Sequence, residues 1–192
     1  MVYWTGPQIC SERIDADDAK NFAAILGRKP LYWDNYPVND AAMIGELHIR
    51  PYQGRSSELS ALAQGMVLNP MPLFEASKIA LSTAAQFFTS PHDYDPEAAF
   101  DEALTHLGIS PDAQGAWRFF ADTVRMSPIE LDDHSRFTQT VSQGMHLLRR
   151  GRAREGLDVL DALFKEGKQA VATIRSDVET TSKSNLVTEC EP

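Results

Sequence analysis

The sequence predicts an α/β fold followed by an all-α region, with the chain mostly helical by residue count. Two observations predict this class. Over residues 1–90, three short apolar runs alternate with amphipathic stretches, which is the rhythm of βαβ units around a parallel sheet. From residue 91 onward no strand pattern recurs, and apolar residues repeat in steps of three and four. That repeat is typical of amphipathic helices.

The three strand candidates are short and each is followed by turn-forming or polar residues. The first, VYWT at residues 2–5, is β-prone and is stopped by Gly6 and Pro7. The second, LYW at residues 31–33, is apolar without polar alternation, which is typical of a strand buried on both faces. The third, GMVL at residues 65–68, ends in an Asn-Pro pair.

Helical patterns separate these strand candidates. Asp15 or Asp17 can cap the first helix, which runs to about Leu26 and places Phe22 on its apolar face. Gly27 suits the position just after a helix, since glycine adopts the left-handed conformation found there. A poorer helical pattern covers residues 56–64, and a stronger one covers about 73–88.

Four amphipathic segments follow, and the short polar connections between them predict antiparallel neighbours in a bundle. We therefore expect an α/β part over residues 1–90, a helical bundle over 91–175 and a disordered tail over 176–192. The tail is expected to be disordered because SDVETTSKSNLVTECEP is polar and has no apolar period. The apolar positions of the four segments include Phe100 and Leu104, Trp117 and Phe120, Phe137 and Val141, and Leu157 and Leu160.

Composition excludes several functional classes. The 192 residues carry a formal net charge of −9 with a pI of about 5.0, which argues against nucleic acid as a partner because phosphate binding needs an excess of Lys and Arg. The sequence has no run of eighteen apolar residues, so no membrane partner is expected. Two cysteines, Cys10 and Cys190, make no disulfide framework and favour a reducing, cytoplasmic location.

One local basic cluster runs against the acidic balance of the chain. It comprises Arg149, Arg150, Arg152 and Arg154. We interpret it as cations at the C-terminal end of a helix, where the helix dipole favours positive charge. An anionic-ligand site is the alternative interpretation.

Polar side chains gather where the second strand candidate ends. The stretch LYWDNYPVND at residues 31–40 places two carboxylates, two amides, a Trp and two Tyr residues within ten residues. In parallel α/β folds, ligands bind at the carboxyl ends of the strands, so these side chains lie where a binding site is expected. Their donors and acceptors, with the flat faces of Trp33 and Tyr36, suit a ligand such as a sugar ring. The alternative is an ordinary loop, because Asn, Asp and Pro are common turn residues.

Four motifs together resemble a known family. They are YWTGP (3–7), YWDNYPVND (32–40), RPYQGR (50–55) and NPM (69–71). In this order they resemble the family 84 glycoside hydrolases, the hyaluronidase-like β-N-acetylglucosaminidases that include the O-GlcNAcases. The resemblance covers about residues 2–100 and extends more loosely into the helical region. The WDNYPVND string is its most specific part.

The resemblance implies a fold and a role for each matching residue. Residues 1–90 would be the last βα units of a (β/α)8 TIM barrel, followed by a C-terminal helical bundle. Thr5 and Trp33 would line the pocket for the substrate's N-acetyl methyl group, and Asn35 would form a hydrogen bond near the acetamido group. Asp40 and Asn69 would form hydrogen bonds with sugar hydroxyls. The neighbouring Asp34 and Asn39 are expected to hold the loop instead of contacting sugar.

The chain departs from the family pattern in two respects. Arg50 stands where a glycine is expected before Pro51, which leaves the conformation of that loop open. Enzymes of this family also use two adjacent aspartates, one of which orients the substrate's own acetamido group as the nucleophile. That pair lies upstream of WTG in the family, so we expect it upstream of this chain and expect the chain alone to be inactive.

Two other Asp-Asp pairs occur, and neither follows a strand. Asp17 and Asp18 open a helix, where carboxylates favour the dipole, and Asp132 and Asp133 fall between helical segments. His134 beside the second pair has no HExxH-type spacing, so a capping cluster is expected and no metal is. The resemblance implies no cofactor.

The expected function is therefore that of a portion of a retaining β-N-acetylglucosaminidase. The intact enzyme would hydrolyse terminal β-linked GlcNAc, including O-GlcNAc on Ser or Thr of proteins. An N-terminal complementing chain or a homo-oligomer is a further expected partner. Two alternatives remain: a non-catalytic helical interaction module with a vestigial sugar-binding edge, and a helical domain whose βα segment only caps its core.

Overall fold

The computed structural model describes residues 2–124, 136–181 and 184–190. These residues divide into two compact units, one running to Leu107 and the other starting at Gly108. The division lies C-terminal to the boundary that we predicted after residue 90. The reason is that the first helix beyond that boundary packs against the helix before it.

The first unit is α/β. Its elements are β1 (Tyr3–Trp4), α1 (Ala16–Leu26), β2 (Leu31–Pro37), a 3-10 turn (Ala41–Met43), α2 (Leu59–Leu62), β3 (Gly65–Asn69), α3 (Phe74–Thr89) and α4 (Pro96–His106). The helix starts follow their sequence signals. Asp15 and Asp18 form a reciprocal capping box at α1, and Asp95 accepts two backbone N–H groups at α4. Gly27 ends α1 in the left-handed conformation with φ +70°.

The sheet has the parallel βαβ connections that the alternating pattern predicts. Its order is β1-β2-β3, with both pairs parallel. Tyr3 aligns with Leu31, and Trp33 aligns with Val67. The register shifts after Asp34, so that Pro37 aligns with Asn69. As a result, the polar ends of β2 and β3 lie side by side.

β2 is longer than the apolar run that predicted it. It continues through Asp34, Asn35 and Tyr36 to Pro37, where the sequence indicated a loop. The polar residues are accommodated because alternate side chains along a strand point to opposite faces. Asp34 and Tyr36 are buried, whereas Trp33 and Asn35 are only half-buried.

The helices cover one face of this sheet. Tyr32 is buried with Ile14, Ala19 and Leu59, and Trp4 packs against that cluster. Trp4 also stacks on Phe22 of α1 at a centroid distance of 4.8 Å. A second cluster joins the end of β2 to α3 through Tyr36, Val38, Tyr52, Ala80, Ala84 and Phe87.

The second unit is helical. It contains α5 (Pro111–Thr123), α6 (Arg136–Arg149), α7 (Ala153–Thr181) and α8 (Ser184–Cys190). Helices α6 and α7 approach closely at two glycines. A Cβ on Gly144 would lie 2.7 Å from Leu160, and one on Gly156 would lie 2.9 Å from the Gly144 carbonyl.

The tail that we expected to be disordered is helical in its described part. α7 continues to Thr181, and α8 covers Ser184–Cys190. Two residues tie this region down: the buried Asp177 carboxylate accepts from the Ser110 backbone N–H at 3.3 Å, and Leu186 is buried. Contacts made by isolated residues leave no apolar period in the sequence, which is why the pattern missed them.

Among the described helices, none combines the length and the apolar character that crossing a membrane requires.

Candidate functional site

The candidate site lies on the face of the sheet opposite the helices. Tyr3 and Trp33 share this face, with ring centroids 5.7 Å apart in an edge-on contact. Val67, which aligns with Trp33 on the next strand, is partly exposed beside them. The face is thus apolar along the strands and becomes polar only at their carboxyl ends, where Asn35 and Asn69 follow.

Asn35 is the centre of the polar part. Its Oδ1 accepts two hydrogen bonds, from Trp33 Nε1 at 2.9 Å and from Asn69 Nδ2 at 3.0 Å. Its Nδ2 donates to the Ile9 carbonyl at 2.7 Å. Because two donors face the oxygen and an acceptor faces the nitrogen, the contacts set which way the amide points. Three of the five predicted sugar-binding residues are therefore joined directly.

Thr5 belongs to the loop that carries Ile9. Its hydroxyl donates to the Gln8 carbonyl at 2.8 Å, so the hydroxyl is used inside the loop. Gly6 follows with φ +94°, and a Cβ there would lie 2.4 Å from the hydroxyl oxygen of Ser11. The Gly-Pro turn after β1 therefore requires its glycine for both conformation and space.

Asp40 stands apart from this hydrogen-bond network. It is exposed and precedes the 3-10 turn without capping it through its side chain. The next residue, Ala41, has φ +49°, a conformation that costs an L-residue about 1–2 kcal/mol. The structure thus presents the Asp40 carboxylate to solvent. Among the described residues, no hydrogen bond joins it to Asn35 or Asn69.

The loop that carries Asp40 is held by residues beneath it. Asn39 Nδ2 donates to the Glu46 carbonyl at 2.8 Å. His48 is fully buried, with Nδ1 2.8 Å from the Val38 carbonyl and Nε2 3.0 Å from a Glu46 carboxylate oxygen. Asn39 supports the loop as expected, whereas sequence reasoning gave His48 no role because nothing around it forms a motif.

Asp34 also supports the site from within, as expected. Its carboxylate lies on the helix-covered face, where the Arg55 guanidinium donates to both oxygens at 2.6 and 2.8 Å. The Tyr52 hydroxyl donates to the same carboxylate at 2.5 Å. Arg55 was missed from the sequence, although it closes the RPYQGR motif. A single arginine gives no signal that it is buried.

Burial and the nearby charges shift the pKa values of several neighbouring groups. Burial, followed by the Asp34 charge, raises the pKa of the Tyr52 hydroxyl well above its ordinary value. Burial acts to lower the pKa of Arg55, but the Asp34 carboxylate outweighs it and the pKa rises. Burial, then Asp40 and Asp34, raises the pKa of the Cys10 thiol. Cys10 is thus within electrostatic reach of the predicted sugar-binding carboxylate.

Arg50, the departure from the family pattern, is accommodated within its loop. Its carbonyl accepts from the Tyr36 hydroxyl at 2.7 Å, and its guanidinium lies 3.4 Å from a Glu97 carboxylate oxygen on α4. The side chain is buried. The loop that follows the 3-10 turn is thus fastened both to β2 and to α4.

Of the two other Asp-Asp pairs, the one on α1 lies among the described residues. Asp18 accepts from the Asp15 backbone N–H at 3.2 Å, so the pair at Asp17 serves the helix start. Asp132, Asp133 and His134 lie outside the described residues. Over the part of the chain that is described, no three His, Cys, Asp or Glu side chains group as a metal site would require.

Together, Trp33, Asn35, Asn69 and Asp40 carry the chemical groups needed to bind and orient a polar ring. Amides and a carboxylate provide donors and acceptors for hydroxyl and acetamido groups, and Trp33 provides a flat apolar surface for a methyl group or a sugar face.

Comparison with known proteins places the chain in a family. The profile of the NAGidase family, described as beta-N-acetylglucosaminidase, matches residues 1–122. The protein O-GlcNAcases of Rattus norvegicus and Mus musculus are each 37% identical over 89 residues, which is 46% of this chain and 10% of theirs.

Solved structures agree in fold. A mutant of the Thermobaculum terrenum O-GlcNAc hydrolase superposes with a TM-score of 0.80 at 32% identity, covering 98% of this chain and 39% of that one. CpGH84B, at 24% identity, has a TM-score of 0.79 over 98% of this chain and 33% of its own. The chain therefore spans well under half of each relative. By its family match, it belongs to the β-N-acetylglucosaminidases of glycoside hydrolase family 84.

Proposed function

We propose that this chain is the sugar-binding portion of a retaining β-N-acetylglucosaminidase that hydrolyses terminal β-linked GlcNAc. The observation that carries the proposal is the hydrogen-bonded group of Trp33, Asn35 and Asn69 at the carboxyl ends of two parallel strands. Ligands of parallel α/β folds bind at that edge. The family match supports the substrate class.

Each residue has a distinct role in this proposal. Trp33 and Thr5 line the pocket for the N-acetyl methyl group. Asn35, whose oxygen is occupied by two donors, offers its remaining N–H to the acetamido region. Asn69 and the exposed Asp40 bind ring hydroxyls, with Asp40 acting as an acceptor.

The three strands are proposed to be the last strands of a (β/α)8 barrel, with the helical unit as the bundle that follows. Two observations support this. The sheet is parallel with helices on one face, and its other face is apolar and partly exposed through Tyr3, Trp33 and Val67. Further strands would cover that face and bring the two catalytic aspartates to the site. They would come from an N-terminal segment or a complementing chain.

The proposed substrates include O-GlcNAc on Ser or Thr of proteins, because relatives and a structural neighbour are O-GlcNAc hydrolases. The chain alone is proposed to bind an acetamido-sugar without cleaving a glycoside, since binding and positioning residues are the ones it contributes.

An NMR titration with an acetamido-sugar inhibitor tests the proposal. We expect the Trp33 indole N–H and the side-chain amides of Asn35 and Asn69 to shift on addition of the inhibitor. Asn69→Ala should weaken binding severalfold, whereas Asn185→Ala on the exposed surface of α8 should leave it unchanged. Shifts spread evenly over the chain, or equal affinity in both variants, would contradict the proposal.

The competing function, a helical interaction module, is favoured by one observation. Leu157, Phe164 and Val171 are exposed at seven-residue spacing along α7, a pattern typical of helices that pair. This function predicts a concentration-dependent mass in solution and no response to the inhibitor. The titration above therefore distinguishes the two.

A further inference from the structure

We propose that Arg55 is a positioning residue of this site, which sets the orientation of the Asn35 amide from beneath the sheet. The effect on sugar affinity rests on the proposed function, whereas the effect on Asn35 does not. Arg55 contacts no predicted sugar-binding residue. Its action passes through one strand and one loop.

The first step is the way Arg55 joins three segments. Its Nε and Nη2 donate to the two oxygens of Asp34 on β2. Its Nη1 donates to the Glu12 carbonyl at 2.9 Å and to the Gln53 carbonyl at 3.1 Å. The guanidinium is almost wholly buried, and its planar fork matches four acceptors at once. A lysine has the charge but not the fork.

The second step fixes the loop between β1 and α1 beside Arg55. Ile14 forms a parallel bridge with Arg55, through Ile14 N to the Gly54 carbonyl at 2.9 Å and Ser56 N to the Ile14 carbonyl at 3.0 Å. The bond from Arg55 to Glu12 extends this bridge toward the site. The end of the loop is therefore clamped to the segment around Arg55.

The third step carries that clamp to Asn35. The buried Ser11 hydroxyl lies 3.0 Å from the carbonyls of both Thr5 and Gln8, and the Gln8 N–H lies 3.0 Å from it in turn. The loop from Thr5 to Ser11 is thus braced internally. A displacement at Glu12 is transmitted to Ile9, whose carbonyl accepts from Asn35.

The strand supplies the other end of the same linkage. Asp34 and Asn35 are neighbours on β2 and point to opposite faces, so the ion pair to Arg55 also holds the backbone at Asn35. The Arg55 guanidinium thereby holds both partners of one hydrogen bond: the donor Asn35, and the loop whose Ile9 carbonyl accepts from it. The amide orientation, and with it the group presented to a ligand, depends on this arrangement.

Two-dimensional ¹H–¹⁵N NMR of the full chain, without sugar, tests the inference directly. In Arg55→Lys we expect the Trp33 indole N–H and the Asn35 side-chain amide to shift or broaden, with Trp117 of the helical unit unchanged. Arg136→Lys is the matched control, because Arg136 makes a two-bond pair to Glu166 at 2.7 Å in the other unit. A folded Arg55→Lys with both site signals unmoved would overturn the inference.

A second variant keeps the test decisive if Arg55→Lys does not fold. Asp34→Leu with Arg55→Met removes both charges together and leaves neither buried alone. The same site signals should move in this double variant, and unmoved signals would again overturn the inference. Addition of the acetamido-sugar inhibitor then separates the two claims. If the Arg55 variants move the signals but the unsubstituted chain binds no sugar, the positioning role stands and the proposed function fails.

Discussion

At the residue scale, the site depends on the way alternate side chains of β2 point to opposite faces of the sheet. Trp33 and Asn35 point to the open face, whereas Asp34 and Tyr36 point into the helix-covered core. The predicted sugar-binding residues and the residues that hold them therefore alternate along a single strand. Four consecutive polar and aromatic positions can be packed in this way because a strand reverses its side chains at each residue.

Residue types alone identified the open-face half of this arrangement better than the buried half. The string WDNYPVND is rich in groups suited to sugars, and the expected support roles of Asp34 and Asn39 are confirmed by their contacts. The partners Arg55 and His48 could not be inferred, because each acts through contacts to residues distant in sequence. Their burial depends on tertiary packing, which local sequence does not report.

Cys10 provides a probe of the predicted hydroxyl-binding residue Asp40. The Asp40 charge contributes to raising the pKa of the Cys10 thiol, and only the thiolate reacts with alkylating reagents. Asp40→Asn should therefore lower that pKa, increase the thiolate fraction at pH 8 and speed alkylation by iodoacetamide up to severalfold.

The alkylation rate is measured in a Cys190→Ser background, so that Cys10 is the one thiol present. The pH profile of the rate should move to lower pH in Asp40→Asn. Asp17→Asn on the exposed start of α1 is the matched control and should leave the profile in place. Equal profiles for all three proteins would show that Asp40 does not act on Cys10.

At the element scale, periodicity predicted the helices and strands, and the exceptions are caused by contacts between residues distant in sequence. β2 exceeds its apolar run because the Asp34 charge is neutralised by a buried arginine. α7 exceeds its apolar run because Asp177 caps the start of α5 from its last turns. Both extensions depend on a single long-range contact, which no repeating pattern records.

The loop after β2 is the element whose conformation depends most on one side chain. His48 joins the carbonyl of Val38 to the carboxylate of Glu46, and its backbone N–H lies 3.3 Å from the sulfur of Met71. We expect His48→Gln to destabilise the first unit by about 1–3 kcal/mol. The reason is that the Val38 carbonyl or the Glu46 carboxylate loses its hydrogen-bond partner.

Hydrogen exchange measured by mass spectrometry checks this prediction. Peptides covering residues 38–50 should exchange faster in His48→Gln, while peptides of α6 and α7 stay as they were. His92→Gln, at an exposed position, is the control. Uniformly faster exchange over the whole chain would instead mean that His48 stabilises the fold generally and has no particular effect on this loop.

At the scale of the whole molecule, the predicted sugar-binding residues are grouped in one of the two compact units. All five predicted sugar-binding residues lie in the first unit, within the span that the family profile matches. The order of strands and motifs allowed that placement to be predicted from the sequence. The catalytic aspartates could be assigned only by resemblance, since none of the described carboxylates joins Asn35 or Asn69.

The proposed function leads to a prediction about the assembled enzyme. The edge strands β1 and β3 should pair with the strands of a barrel's N-terminal portion. Closing the barrel in this way buries the open, partly apolar face of the sheet, which stabilises the association. Alone, the chain should release no fluorescent phenol from a β-N-acetylglucosaminide. Mixed with the preceding portion of the Thermobaculum terrenum hydrolase, it should restore measurable hydrolysis.

Asp40→Ala should lower that hydrolysis at least tenfold if Asp40 binds a sugar hydroxyl through the transition state, whereas Asp17→Ala should not. Hydrolysis by the chain alone would mean that the catalytic carboxylates lie within its own 192 residues.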